Sequence, residues 1–93
     1  MKQSLMDLLQ CPMCGGQELR LVVATEKEGE VWSALILCTG CKRWYPVING
    51  IPHMLPDDMR KREDEQFISA NSNAFPQFRL SADPPLYAPA SQP

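Results

Sequence analysis

Residues 11–43 read CPMCGGQELRLVVATEKEGEVWSALILCTGCKR, with a Cys-x-x-Cys pair at each end and two apolar runs between them. LRLVVA (19–24) and VWSALIL (31–37) are rich in β-branched and large apolar residues and read as strands. TEKEGE (25–30), with Gly29, reads as the polar turn that joins them. The runs form an antiparallel hairpin that carries the chain out from Cys14 and back to Cys38 across 23 residues. Such a hairpin delivers Cys11, Cys14, Cys38 and Cys41 to one place.

Four cysteine sulfurs are the ligand set of a tetrahedral structural zinc site. Each Cys-x-x-Cys knuckle presents two sulfurs from one tight turn. Gly15, just after the second ligand, gives the backbone a conformation that a side chain would hinder, and Gly40 lies inside the second pair. Two pairs bridged by a hairpin are far more specific than a lone Cys-x-x-Cys. The expectation is one structural Zn2+ held by Cys11, Cys14, Cys38 and Cys41. Two disulfides would require an exported chain, and a redox dithiol would need a βαβ unit. An iron–tetrathiolate carrier of the rubredoxin type uses the same geometry and differs only in its metal; redox-inert zinc is the default.

Outside this segment the chain stays simple. SLMDLL (4–9) suggests one or two helical turns, with Ser4 as cap and Asp7 completing a capping box. WYPVI (44–48) reads as a third strand, Asn49-Gly50 as a tight turn, and IPHML (51–55) as the returning strand. Pro46 and Pro52 have no N–H and belong at an edge or a strand start. PDDMRKREDEQFI (56–68) suggests a solvated helix with Asp57–Lys61 and Asp58–Arg62 pairs at i,i+4. In it, Glu63–Glu65 form an exposed face. The fold class is small α+β: a zinc-ribbon-like antiparallel sheet of three to four strands, a short N-terminal helix and a C-terminal helix. Residues 1–55 form the four-cysteine domain, 56–70 a charged helical extension, and 71–93 a Pro-rich tail expected to be disordered.

The composition excludes several functions. Nine Lys and Arg stand against eleven Asp and Glu among 93 residues, a net charge of −2. Residues 1–55 carry five of each sign, so the ribbon has little electrostatic drive toward phosphate backbones. The longest apolar run, Ala34 to Cys38, is far below the roughly 20 residues of a spanning helix, and no segment reads as a signal peptide. A cytoplasmic location and reduced thiols follow. Four cysteines close a zinc shell, whereas a catalytic zinc keeps an open position. His53, the only histidine, reads as a surface residue. No set of nucleophile, base and orienting group can be assembled, and the chain is not expected to be an enzyme.

The motif order resembles a known family. SLMDLLQCPMCGG, then a hairpin, then LCTGCKRWYPVINGIPHML is similar to the small zinc-ribbon activators typified by tRNA methyltransferase subunit one-hundred-and-twelve, in their short prokaryotic form. The match spans roughly residues 5–55. It carries over Cys11, Cys14, Cys38 and Cys41 as zinc ligands, and Tyr45, Pro46, Ile48, Gly50, Ile51 and Pro52 as a signature segment. The resemblance implies a non-catalytic subunit that docks edge-on to a class I, S-adenosylmethionine-dependent methyltransferase and activates it. Nucleic acid would then be met only indirectly, through the partner, and no membrane is involved.

The strand at 31–37 gives this role separate support. Val31, Ser33, Leu35 and Leu37 alternate with Trp32, Ala34 and Ile36, so both faces are apolar. Either one face awaits a partner, or the N-terminal helix covers one and the tail helix the other. Trp32, Ile36, Tyr45, Ile48, Ile51 and Pro52 are the expected partner-binding residues. An uncovered face would equally allow a homo-oligomer. As alternatives, Lys42, Arg43, Trp44 and Tyr45 could form a basic–aromatic patch for nucleic acid, or the site could hold electron-carrying iron.

Overall fold

A computed structural model describes residues 1–60, 62–71, 73–82 and 84–89. Four strands form one antiparallel sheet in the order β1-β2-β3-β4: β1 Leu19–Lys27, β2 Glu30–Cys38, β3 Trp44–Ile48 and β4 Ile51–Pro52. Helix α1 spans Arg62–Ala70, and a separate hairpin pairs β5 Phe78–Leu80 with β6 Tyr87–Pro89. The small α+β class and the four-strand sheet agree with the sequence expectation. The N-terminal turn is a 3-10 helix over Gln3–Leu8, without a side-chain cap, so the expected Ser4 capping box does not form.

Two turns set the register. Glu28 and Gly29 join β1 to β2, and Asn49 and Gly50 join β3 to β4; all four residues have positive φ, the two-residue hairpin geometry that matches strand twist. The hairpin is longer than LRLVVA and VWSALIL alone suggest, because the turn takes only two residues. At Gly50 (φ +80°) an added Cβ would lie 3.2 Å from the Met1 backbone nitrogen. That close approach lets Met1 pair with Val31 in both directions (2.9 and 2.7 Å). Pro46 lies inside the sheet rather than at an edge. Its carbonyl accepts from the His53 N–H at 2.9 Å, so its missing N–H faces the side where β4 has already ended.

β2 is buried on both sides. One cluster gathers Met1, Cys11, Val31, Ala34, Ile36, Cys38, Tyr45 and Val47, with Leu5, Met6 and Leu9 of the N-terminal turn packed against it. The other gathers Leu35, Leu37 and Trp44 with Phe67 of α1 and Phe75 beyond it. Val31 sits with Ala34 and Ile36, not with Leu35 and Leu37. The β1–β2 ladder shifts register between Val23 and Glu26, and such a bulge resets the two-residue alternation.

The stretch 71–93, expected to be disordered, differs over its described residues. Phe75 is buried, Phe78 meets Tyr87 edge-on at 5.8 Å, and Trp44 Nε1 donates to the Ser81 carbonyl at 2.8 Å. Backbone bonds from Trp44 N to Pro85 O and from Tyr87 N to Lys42 O tie the hairpin to β3. Aromatic burial outweighs the polar, Pro-rich composition here. The 57–60 stretch is not part of a continuous helix as expected. Asp57–Met59 is a 3-10 turn that ends at an extended Arg60, and Asp57 pairs with Arg43; Lys61 lies outside the described residues. Asp64, expected on a solvated face, is fully buried, and His53 Nδ1 lies 2.7 Å from its Oδ1. His53 therefore fastens α1 to the end of the sheet rather than facing solvent.

Candidate metal centre

The two knuckles are built alike. In the first, Cys11 N donates to Gly16 O and Gly15 N to Cys11 O; in the second, Cys38 N donates to Arg43 O and Lys42 N to Cys38 O. The residue after each second cysteine has positive φ, +74° at Gly15 and +65° at Lys42. Glycine marks this strained position in one knuckle, and a lysine tolerates it in the other.

The hairpin brings the knuckles face to face. The four Sγ atoms lie within 4.8 Å of one another. Cys11 and Cys41 approach to 3.6 Å, and Cys14 and Cys38 to 3.5 Å. A zinc ion about 2.3 Å from each of four tetrahedral sulfurs would hold them about 3.8 Å apart. The set therefore fits such an ion, and the four cysteines are positioned to hold a metal. Cys11 and Cys38 are buried, Cys41 is half-buried, and Cys14 is exposed.

The surroundings favour the thiolate at one sulfur. Burial raises the Cys11 thiol, but hydrogen bonds from Tyr45 and from the Cys14 and Met13 backbone outweigh it, and the value falls from 9.0 to about 6. Tyr45 Oη is 3.1 Å from that sulfur. Burial first, then the Cys11 sulfur, hold the Tyr45 hydroxyl far above its ordinary value, so it stays a donor. Burial pushes the Cys38 and Cys41 thiols up. The Gly16 N–H lies 3.4 Å from the Cys14 sulfur.

A charged layer surrounds these ligands. Arg43 grips Asp57 with two bonds, Nε to Oδ1 at 2.9 Å and Nη2 to Oδ2 at 2.7 Å. Asp57 first, and the nearby Cys41 sulfur second, raise the Arg43 pKa. Arg60 stacks 4.5 Å from the Tyr45 ring and 5.2 Å from the Trp44 ring, and its Nη2 donates to the Trp44 carbonyl. Sequence reading identifies the four cysteines but misses Arg43, Tyr45, Asp57 and Arg60 as their support. Arg43 and Tyr45 closely follow Cys41, which is a usable signal; Arg60 has none.

The expected partner residues separate. Ile36 and Tyr45 are fully buried, Trp32, Ile48 and Pro52 are half-buried, and Ile51 is exposed. Of the basic–aromatic patch, Trp44 and Tyr45 are buried and Arg43 is engaged by Asp57, which leaves Lys42 exposed. That arrangement offers no stacking platform to a base.

Comparison with known proteins places this geometry among relatives. The family profile described as Trm112p-like protein matches residues 2–50. A UPF0434 protein of Coxiella burnetii is 37% identical over 60 residues, 64% of this chain and 91% of its own length. A UPF0434 protein of Methylobacillus flagellatus is 33% identical over 68 residues and is 98% covered. A tetraacyldisaccharide 4'-kinase of Nitrosomonas europaea is 34% identical over 68 residues, and the chain spans 15% of that kinase's length. Among solved structures, the Trm112 methyltransferase activator of Haloferax volcanii, in complex with a candidate methyltransferase, is 40% identical. It superposes with a TM-score of 0.59, covering 64% of this chain and all of the archaeal one.

Proposed function

The chain belongs to the Trm112p-like family, and from that premise we propose that it is a non-catalytic, zinc-binding subunit that docks on and activates a class I, S-adenosylmethionine-dependent methyltransferase. One observation carries the reading: 40% identity, with a shared fold, across the whole length of an archaeal activator solved with a candidate methyltransferase. Cys11, Cys14, Cys38 and Cys41 hold one Zn2+, which when bound cross-links the two knuckles and supplies no reactive position. Four protein sulfurs fill its tetrahedral shell. Reduced thiols and the lack of a membrane-spanning helix among the described residues fit work in the cytoplasm.

The ribbon of residues 1–55 is the part that docks, with 56–70 and 71–93 as additions to it. β1 is nine residues long and pairs only with β2 among the described residues, so its outer edge is open to a partner's strand. Trp32, Ile48, Ile51 and Pro52 supply contact area near the Asn49-Gly50 turn. Ile36 and Tyr45 act from inside, as support.

The test is co-expression of the full chain with class I methyltransferases of the same genome. Co-elution with one of them, and a soluble yield of that enzyme that depends on this chain, is the expected result. Unchanged yield and activity for every candidate would overturn the proposal. A second reading rests on the similarity to part of the kinase from Nitrosomonas europaea: the ribbon serves as an accessory module for a lipid-directed kinase. Capture of such a kinase in place of a methyltransferase would decide for it.

A further inference from the structure

Arg60 poses a physical problem that its neighbours answer. Its Nε and Nη1 are buried and lack a hydrogen-bond partner among the described residues, although a buried unpaired donor is costly. The bond from Nη2 to the Trp44 carbonyl answers one donor, and the Asp64 and Asp57 carboxylates attract the charge. The guanidinium lies against the Tyr45 ring at 4.5 Å, and the Tyr45 hydroxyl touches the Cys11 sulfur at 3.1 Å. One aromatic ring therefore separates a fixed positive charge from the ligand cluster. Four thiolates around a dication leave two net negative charges in a domain too small to bury them cheaply.

Asp57 supports the cluster from the same short turn. It holds Arg43 by two bonds, and the Arg43 carbonyl in turn accepts from the Cys38 N–H of the second knuckle. The Asp57 N–H lies 3.4 Å from Met13 Sδ, inside the first knuckle. The 57–60 turn thus touches both knuckles, and it lies outside the residues matched by the family profile.

We propose that Arg60 and the Arg43–Asp57 pair are positioning residues for the metal, an outer charged layer that sets how tightly the four-sulfur site retains its ion. The proposal rests on the zinc reading above. Arg60 offsets the excess negative charge through the Tyr45 ring. Asp57 fixes the Arg43 guanidinium beside the second knuckle. Partners outside the ligand shell typically change metal affinity by about 10- to 100-fold.

The experiment uses the full chain loaded with one zinc and follows transfer to a chromogenic chelator, with far-UV circular dichroism before and after mixing. Arg60→Met keeps the packed stem and removes the charge; Arg60→Lys keeps the charge; Asp57→Asn releases Arg43. Arg62→Gln, on an exposed residue at the start of α1, is the control. The expected order is zinc loss roughly tenfold faster in Arg60→Met, a smaller rise in Asp57→Asn, near wild-type loss in Arg60→Lys and no change in the control. In the iron-loaded protein, Arg60→Met lowers the reduction potential, while Arg60→Lys leaves it near the wild-type value. Wild-type release rates in both Arg60→Met and Asp57→Asn would overturn the proposal, as would equal acceleration by Arg60→Met and Arg60→Lys. A wild-type chain that takes up no metal would overturn the zinc reading itself, a different result from unchanged variants of a metal-loaded chain. If Arg60→Met fails to fold, the release rate of Asp57→Asn decides alone.

Discussion

The two faces of β2 are held by different means. On one, Ala34 and Ile36 lie against a cluster that includes Cys11, Cys38 and Tyr45, so packing and the candidate metal centre share residues. On the other, Leu35 and Leu37 meet Trp44, Phe67 and Phe75, which converge from distant parts of the chain with no ligand between them. A single strand thus joins a face that needs a cross-link to a face that needs only apolar burial. Because both faces share β2, cutting the cross-link should unfold the whole sheet, whereas removing one aromatic side chain should only lower its stability.

The largest effect is expected from Cys38→Ser. It removes one of four sulfurs and, with it, a binding energy of order 10–16 kcal/mol that a site of this kind adds to folding. The amide spectrum of the variant should collapse to the narrow range of an unfolded chain. A well-dispersed spectrum would mean that the aromatic face holds the sheet without help.

Phe75→Ala comes next. Truncating a buried Phe costs about 3–5 kcal/mol, read as a lower urea midpoint, while the zinc stoichiometry stays at one. Loss of zinc in this variant would show that the two faces are one cooperative unit.

The smallest effect belongs to Tyr45→Phe. The Cys11 thiol stands at about 6 rather than 9.0, so its anionic contribution is complete above pH 9 and disappears as the pH falls through 6. Deleting the Tyr45 hydroxyl raises that thiol, and zinc should leave at higher pH during acid titration. A charge-assisted hydrogen bond of about 1.5 kcal/mol shared by four sulfurs moves the release midpoint by roughly 0.3 pH unit. An unchanged midpoint would mean that Tyr45 serves only as core.

The same contrast explains which parts of the molecule are legible in its sequence. Cys11, Cys14, Cys38 and Cys41 are legible because a tetrahedral ion demands that spacing, and Asn49-Gly50 because few other residues accept its φ values. The aromatic face is not. Phe67, Phe75, Phe78 and Tyr87 follow neither helical nor strand periodicity and are interrupted by Pro, Asn and Ser. Their partners, Leu35, Leu37 and Trp44, lie more than twenty residues away in sequence. Asp64 is hidden for a related reason: it meets His53, which local charge patterning does not pair with it. Val31 falls on the other face from the one simple alternation assigns, because the register shift at Thr25 and Glu26 leaves Trp32 as an extra residue in β2.

The most direct test is metal analysis of the purified full chain together with its amide spectrum, before and after a strong chelator. The expected result is one zinc per chain and a dispersed spectrum that collapses when the zinc is withdrawn. Metal-free protein with that same dispersed spectrum would contradict the account, because the four sulfurs would then be neighbours without an ion to join them.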